Sequence, residues 1–139
     1  MNAFQFRVPN SPLTLFITRF PYQQVTVADV RAVYEYSQAT IETAMMLRLP
    51  PLDDGAIFES NEHHSVNCQL KVFNRPVSQP DGSKQGLTWL DLHDLVIGVA
   101  QFLVPDTQRA PVSVDSVTFA IKHDEYGATG RGSLKRNHP

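Results

Sequence analysis

Four segments of this sequence alternate apolar and polar residues, and this period of two restricts the chain to folds built on a half-buried sheet. The segments begin at Phe4, Leu13, Val66 and Val117, and the third is the most regular, with apolar Val66, Cys68, Leu70 and Val72. Successive side chains of a strand point to opposite faces, so each segment has a core side and an open side. A parallel sheet covered on both faces would show continuous apolar strands instead.

Two other segments follow a helical period and have helix signals at both ends. The first begins at Thr26 with Asp29 three residues later, and the second begins at Thr88 with Asp91 three residues later. Both starts have the spacing of a capping box, and proline closes each segment, at Pro50-Pro51 and at Pro105. The order of elements predicts an α+β fold: a two-layer sandwich with two helices packed on one face of a mainly antiparallel or mixed sheet of about five strands.

Prolines and glycines set further limits on two strands. Pro21 is expected to end the second strand near Phe20. Gly127, Gly130 and Gly132 weaken the last strand, which we therefore expect to be an edge or bulged strand. We expect a single domain over residues 1–139, with 131–139 as a flexible basic tail.

Composition and charge exclude several classes of protein. The 139 residues include 12 basic and 14 acidic side chains, for a net charge of -2, and 42% are hydrophobic, which excludes a disordered chain. Without an overall positive charge, no nucleic-acid partner is expected. No apolar run approaches the ~20 residues of a membrane-spanning helix. The first residues lack the features of a signal segment, so the protein is cytoplasmic or a signal was removed from a secreted one.

The residues that could carry chemistry are few. His93, near Trp89 and beside Asp94, is the candidate general base, although a histidine four residues from a tryptophan more often packs on that ring. His63 and His64 are adjacent on an expected strand start, so they point to opposite faces and chelate one metal poorly. Cys68, the single cysteine, lies on the apolar side of its strand, where a thiol is inert. We therefore predict no catalytic site beyond the weak candidates His93 and Asp94, no bound metal and no cofactor.

Two candidate contact surfaces remain. Phe16, Phe20 and Phe73 fall on the open side of the sheet, where exposed aromatic residues mark an interaction face unless loop 75–87 or the tail covers them. Self-association is the commonest use of such a face. Arg131, Lys135 and Arg136 form a candidate anion-binding patch.

Three segments together resemble a pattern found in small proteins of filamentous fungi. They run from Arg7 to Leu15, from Leu87 to Leu92, and over Phe119 to Ile121 followed by Gly127 to Leu134. Many such proteins are similar to secreted ones, and some act on a host outside the cell. The resemblance implies an origin and an extracellular compartment, but no activity, because none of these segments carries a catalytic motif.

The sequence thus predicts a non-enzymatic binding domain, effector-like by the resemblance, whose partner is a protein or a second copy in a homodimer. Two alternatives stay open. One is a small hydrolase or isomerase that uses His93 with a nearby carboxylate. The other is a carrier of a small apolar ligand in a cavity walled by Met45, Met46 and Phe102.

Overall fold

The computed structural model of the protein describes residues 3–60, 66–105 and 112–137. Within them, the helices and strands in chain order are β1 (Ala3–Arg7), β2 (Leu13–Thr26), α1 (Val27–Met46), β3 (Ile57–Glu59), β4 (Cys68–Asn74), β5 (Val77–Ser78), β6 (Lys84–Gln85), α2 (Trp89–Leu103), β7 (Ser113–His123) and β8 (Gly127–Arg136). None of the described helices is long and apolar enough to cross a membrane.

The main sheet has six strands in the order β1-β2-β7-β8-β4-β3, and every neighbouring pair is antiparallel. β5 and β6 form a separate two-stranded sheet. One buried cluster joins both helices to one face of the main sheet; it includes Val30 and Ile41 of α1, Leu95 and Val99 of α2, and Leu15 of β2. The predicted two-layer α+β arrangement is confirmed, with a sixth strand beyond the five expected.

The predicted helix starts are both confirmed. The Thr26 hydroxyl accepts a hydrogen bond from the Asp29 N–H at 3.1 Å, and Thr88 does the same for Asp91 at 3.0 Å. Asp91 also accepts from the Thr88 N–H at 3.1 Å, which completes a capping box on α2 alone. A threonine N-cap contributes about 1 kcal/mol. α1 ends before the prolines, because Arg48 takes the left-handed conformation (φ 54°) that commonly follows a helix end.

The prediction that β2 ends near Phe20 is wrong. Phe20 pairs with Ser116 and Gln24 pairs with Asp115, so residues 21–23 bulge out of the ladder. Pro21 lies in this bulge, where its missing N–H removes no ladder hydrogen bond. The strand then resumes and leads directly into α1.

The last strand is bulged, as predicted, but it is not an edge strand. β8 lies between β7 and β4, and the register skips Thr129, because Ile121 pairs with Gly130 and Lys122 with Ala128. A side chain at position 132 would clash, since its Cβ would lie 2.6 Å from the Lys71 carbonyl oxygen. The prediction of a flexible tail over 131–139 is wrong for residues 131–136, which belong to β8 and pair with β4.

Candidate functional site

The side of the main sheet that faces away from α1 and α2, called here the open face, is ordered by the strand register. One row of paired residues crosses five strands in the order Phe16, Ala120, Arg131, Phe73, Ile57. Phe16 is 37% exposed and Ile57 is 54% exposed. Phe20 and Phe73 are half-buried. The register therefore brings the three predicted phenylalanines to one face, although they come from two strands that are not neighbours.

Positive charge concentrates on the open face. Five exposed basic residues, the open-face cations, belong to it: Lys71, Arg75, Lys122, Arg131 and Lys135. In the described ranges, none of them has a carboxylate within 4 Å. Glu59, which pairs with Lys71 across β3 and β4, is the nearest acidic position in the register. The chain as a whole is slightly acidic, so its charges are segregated and this face is positive.

The open-face cations lie against the aromatic rings. The guanidinium carbons of Arg131 and Arg75 lie 5.5 and 5.9 Å from the centre of the Phe73 ring. Lys135 Nζ lies 5.3 Å from the centre of the Phe20 ring. These distances are within the ~6 Å range of cation–π attraction. The contacts hold long side chains in defined positions while their charges still face solvent.

An adjacent ion pair at one corner of the face is already satisfied. Arg7 donates two hydrogen bonds to Asp124, at 2.6 and 2.7 Å. The Arg7 guanidinium lowers the pKa of the Asp124 carboxyl, chiefly through these hydrogen bonds. Both side chains are about half exposed. This pair ties β1 to the β7–β8 turn and leaves no free charge for a partner.

The two segments that were expected to cover the phenylalanines contribute single side chains over the rings: Arg75 and Arg131 over Phe73, and Lys135 over Phe20. Loop 75–87 contains β5 and β6 and is anchored at the end of the sheet, where the Leu87 N–H donates to the Asn74 side chain at 3.0 Å. Asn74 lies on the buried side of β4. The other candidate cover, residues 131–136, is itself part of the sheet. The loop before β3 also borders this face, because a Cβ built on Gly55 would lie 3.7 Å from the Phe73 ring.

The predicted anion patch is only partly assembled. Arg131 and Lys135 lie on the open face, but Arg136 is the next residue along the strand and points to the other side. Lys71 and Lys122, from β4 and β7, take its place on the open face. Sequence reasoning missed these two lysines. Their polar positions in the alternation were visible, but the order of the strands was not.

The His93 candidate site is a loose cluster of charges. His93 Nε2 lies 3.7 Å from a Glu42 oxygen, and His93 Nδ1 lies 3.7 Å from an Asp94 oxygen. Both distances are too long for hydrogen bonds. Glu42, on α1, is a neighbour that the sequence alone did not suggest. Among the described hydrogen bonds, none joins the His93 ring to a serine, threonine or cysteine, so a positioned nucleophile is missing from what the structure describes.

The other sequence candidates are structural or are dispersed. Met45 and Met46 are 39% and 83% exposed, whereas Phe102 packs against Phe4 and Phe6 with ring centres 6.0 and 5.5 Å away. These three side chains therefore do not wall one cavity. A groove of about 450 Å³ does lie beside Trp89; it is lined by Tyr36, Ala39, Thr40, Thr43, Ala44 and Leu49 as well, and His93 does not line it.

Metal binding has no support in the described part of the chain, where no group of three ligating side chains occurs. His63 and His64 lie outside the described residues. His123 accepts a hydrogen bond from the Glu125 N–H at 3.1 Å and stacks on Tyr126, so it holds the β7–β8 turn. Burial, and secondarily the charge of Asp29, raises the pKa of the Cys68 thiol to about 12, which keeps it protonated and unreactive.

Comparison with known protein families, with curated proteins and with solved structures found no match to this chain. The resemblance to small fungal proteins therefore stays a prediction.

Proposed function

We propose that this protein is a non-enzymatic binding domain whose contact surface is the open face and whose partner is a negatively charged macromolecule. The observation that carries the proposal is a set of five exposed cations, none with a carboxylate within 4 Å among the described residues, that lie among part-exposed phenylalanines on the open face. Buried anchors of arginine and aromatic side chains are typical of binding surfaces. An enzyme based on His93 has weaker support, because its carboxylates stand too far from the ring for hydrogen bonds.

Charge also separates the two kinds of partner that the sequence left open. In a symmetric homodimer, the same patch meets itself across the axis. Two copies of the open face would set the cations of one copy, Arg131, Lys135 and Lys71 among them, against the cations of the other, and like charges across an interface are unfavourable. A different, acidic partner gains from the same charges, so we place self-association through this face second.

The experiment that tests the proposal maps a generic polyanion onto the protein. Heparin is titrated into isotope-labelled protein at about 150 mM salt, and amide chemical shifts are followed by NMR. We expect the shifts to concentrate in β4, β7 and β8. Arg131→Glu should weaken binding about tenfold or more, because it removes one charge contact and adds a repulsive one.

Arg31→Glu is the matched control, since Arg31 is exposed on α1, in the other layer of the molecule, and the change in net charge is the same. We expect this variant to bind heparin within about twofold of the wild type. Shifts that map to α1 and α2 instead, or equal losses in the two variants, would contradict the proposal.

A further inference from the structure

Two of the three predicted rings of the open face, Phe73 and Phe20, are not free platforms for bases. Single-stranded nucleic acids bind sheets chiefly by stacking bases on open aromatic rings. Here two guanidinium groups already lie over Phe73, and an ammonium group lies over Phe20. A stacked base would have to displace these cations, so the arrangement favours a ligand that pairs with the cations where they lie.

Arginines held over a ring are well placed for carboxylates. The guanidinium fork matches a carboxylate in two parallel hydrogen bonds, and stacking on an aromatic ring fixes the direction of the fork before binding. Arg131 lies over Phe73 and has no acidic partner among the described ion pairs. Carboxylates of aspartate and glutamate therefore fit the charged part of the face.

The same row ends in an aliphatic residue. Ile57 pairs with Phe73 across β3 and β4 and is 54% exposed, although its neighbour Phe58 is buried in the core. An exposed isoleucine next to a part-exposed phenylalanine gains from contact with apolar side chains, at roughly 25 cal/mol per Å² of area removed from water. A polysaccharide or a nucleic-acid backbone offers little such area, whereas a protein segment does.

We infer that the partner is a protein segment in which aspartate or glutamate residues are interspersed with aliphatic ones. Its carboxylates pair with Arg131, Arg75 and Lys71, and its aliphatic side chains cover Ile57 and Phe73. This inference rests on the proposed function and narrows its partner from a polyanion to an acidic, partly apolar polypeptide.

Fluorescence anisotropy with three labelled probes tests this inference. The probes are a peptide of Glu-Glu-Leu repeats, a peptide of Glu-Glu-Gly repeats with the same charge, and an oligothymidylate of similar length. We expect the leucine peptide to bind at least about fivefold more tightly than either other probe, which corresponds to roughly 1 kcal/mol for the apolar contacts.

Two variants separate the charged from the apolar contacts. Ile57→Ser should weaken binding of the leucine peptide about fivefold and leave binding of the glycine peptide unchanged. Arg131→Gln should weaken binding of both peptides. Arg31→Gln on α1 is the matched control and should change neither. Circular dichroism confirms that each variant is folded, which is expected because all three side chains are exposed.

Each other outcome overturns the inference in a distinguishable way. If the two peptides bind equally well, or if Ile57→Ser leaves the affinity for the leucine peptide unchanged, the claim that aliphatic side chains of the partner contact Ile57 and Phe73 is overturned. Tighter binding of oligothymidylate, lost with Arg131→Gln, makes the partner a nucleic acid and leaves the open face as the binding surface. Failure of all three probes at low salt, together with no heparin binding, overturns the inference and the proposed function together.

Discussion

At the scale of single residues, burial decides what Cys68 does. Its side chain is 2% exposed and lies in the core cluster beside Leu70 and Val72. The thiolate is costly there, because a charge without water or a partner is poorly solvated. The negative charge of Asp29 also disfavours the thiolate and so raises the Cys68 pKa further, but by less than burial does. The residue therefore acts as a small apolar side chain.

The raised pKa predicts a specific loss of stability in alkali. The folded protein holds the thiol proton up to about pH 12, whereas the unfolded chain releases it near its ordinary pKa of 9.0. The stabilising effect is complete below that lower value and declines as the pH rises toward the higher one, by at most about 1.4 kcal/mol per pH unit.

Urea unfolding at a series of pH values checks this, with Cys68→Ala as the variant that lacks the ionisable group. We expect the stability of the wild type to fall more steeply than that of Cys68→Ala above pH 9.0. Parallel curves for the two proteins would show that the thiol is not protected from ionisation.

At the scale of elements, β8 shows how glycine can serve an inner strand. Gly132 pairs with Val72 on one side and with Phe119 on the other. A Cβ built on Gly132 would lie 2.5 Å from the Phe119 ring, so the ring occupies the space that a side chain would need. The absence of a side chain, which weakens a strand in isolation, is here the condition for packing Phe119 in the core.

We therefore expect Gly132→Ala to destabilise the protein by about 1–3 kcal/mol, the usual cost of overpacking a core. Ser133→Ala, one residue along β8 and on the open face, should change stability by less than about 0.5 kcal/mol. Thermal unfolding of both variants is the measurement. Equal midpoints for Gly132→Ala and the wild type would mean that β8 and Phe119 can separate without cost.

At the scale of the whole molecule, charge is arranged by layer. The chain has two more acidic than basic residues, yet five exposed cations collect on one side of one sheet. The strand order β2-β7-β8-β4 produces this collection, because it places Lys122, Arg131 and Lys71 on neighbouring strands with the same facing. A potential of this kind draws in partners of opposite sign and repels a second copy.

The expected outcome in solution is a monomer at low salt. Sedimentation equilibrium should give the chain mass of 15.6 kDa at ~50 mM salt. Any self-association through the open face should increase as salt screens the like charges. A stable dimer at low salt that dissociates with Phe16→Asp would show that the face pairs with itself despite its charge.

The sequence by itself determined the layers and, for β2, β4 and β7, which side of the strand faces the core. Alternation in the segment from Val66 to Val72 depends only on the two-residue period of a strand, and the starts at Thr26 and Thr88 depend on groups three residues apart. Such local relations can be read along the chain. For the same reason Phe16, Phe20 and Phe73 could be placed on the open side before any strand order was known.

Only the tertiary structure decided which residues share the surface. Lys71 and Arg131 are far apart in sequence and meet because β8 inserts between β7 and β4, whereas the glycines predicted either an edge or a bulged strand. Pro21 was expected to stop β2, but a bulge accommodated it because the strand regained its partner β7 at Gln24. Both outcomes depend on contacts between distant segments, and these contacts outweigh the local preferences of glycine and proline. The positive face is therefore a property of the sheet order.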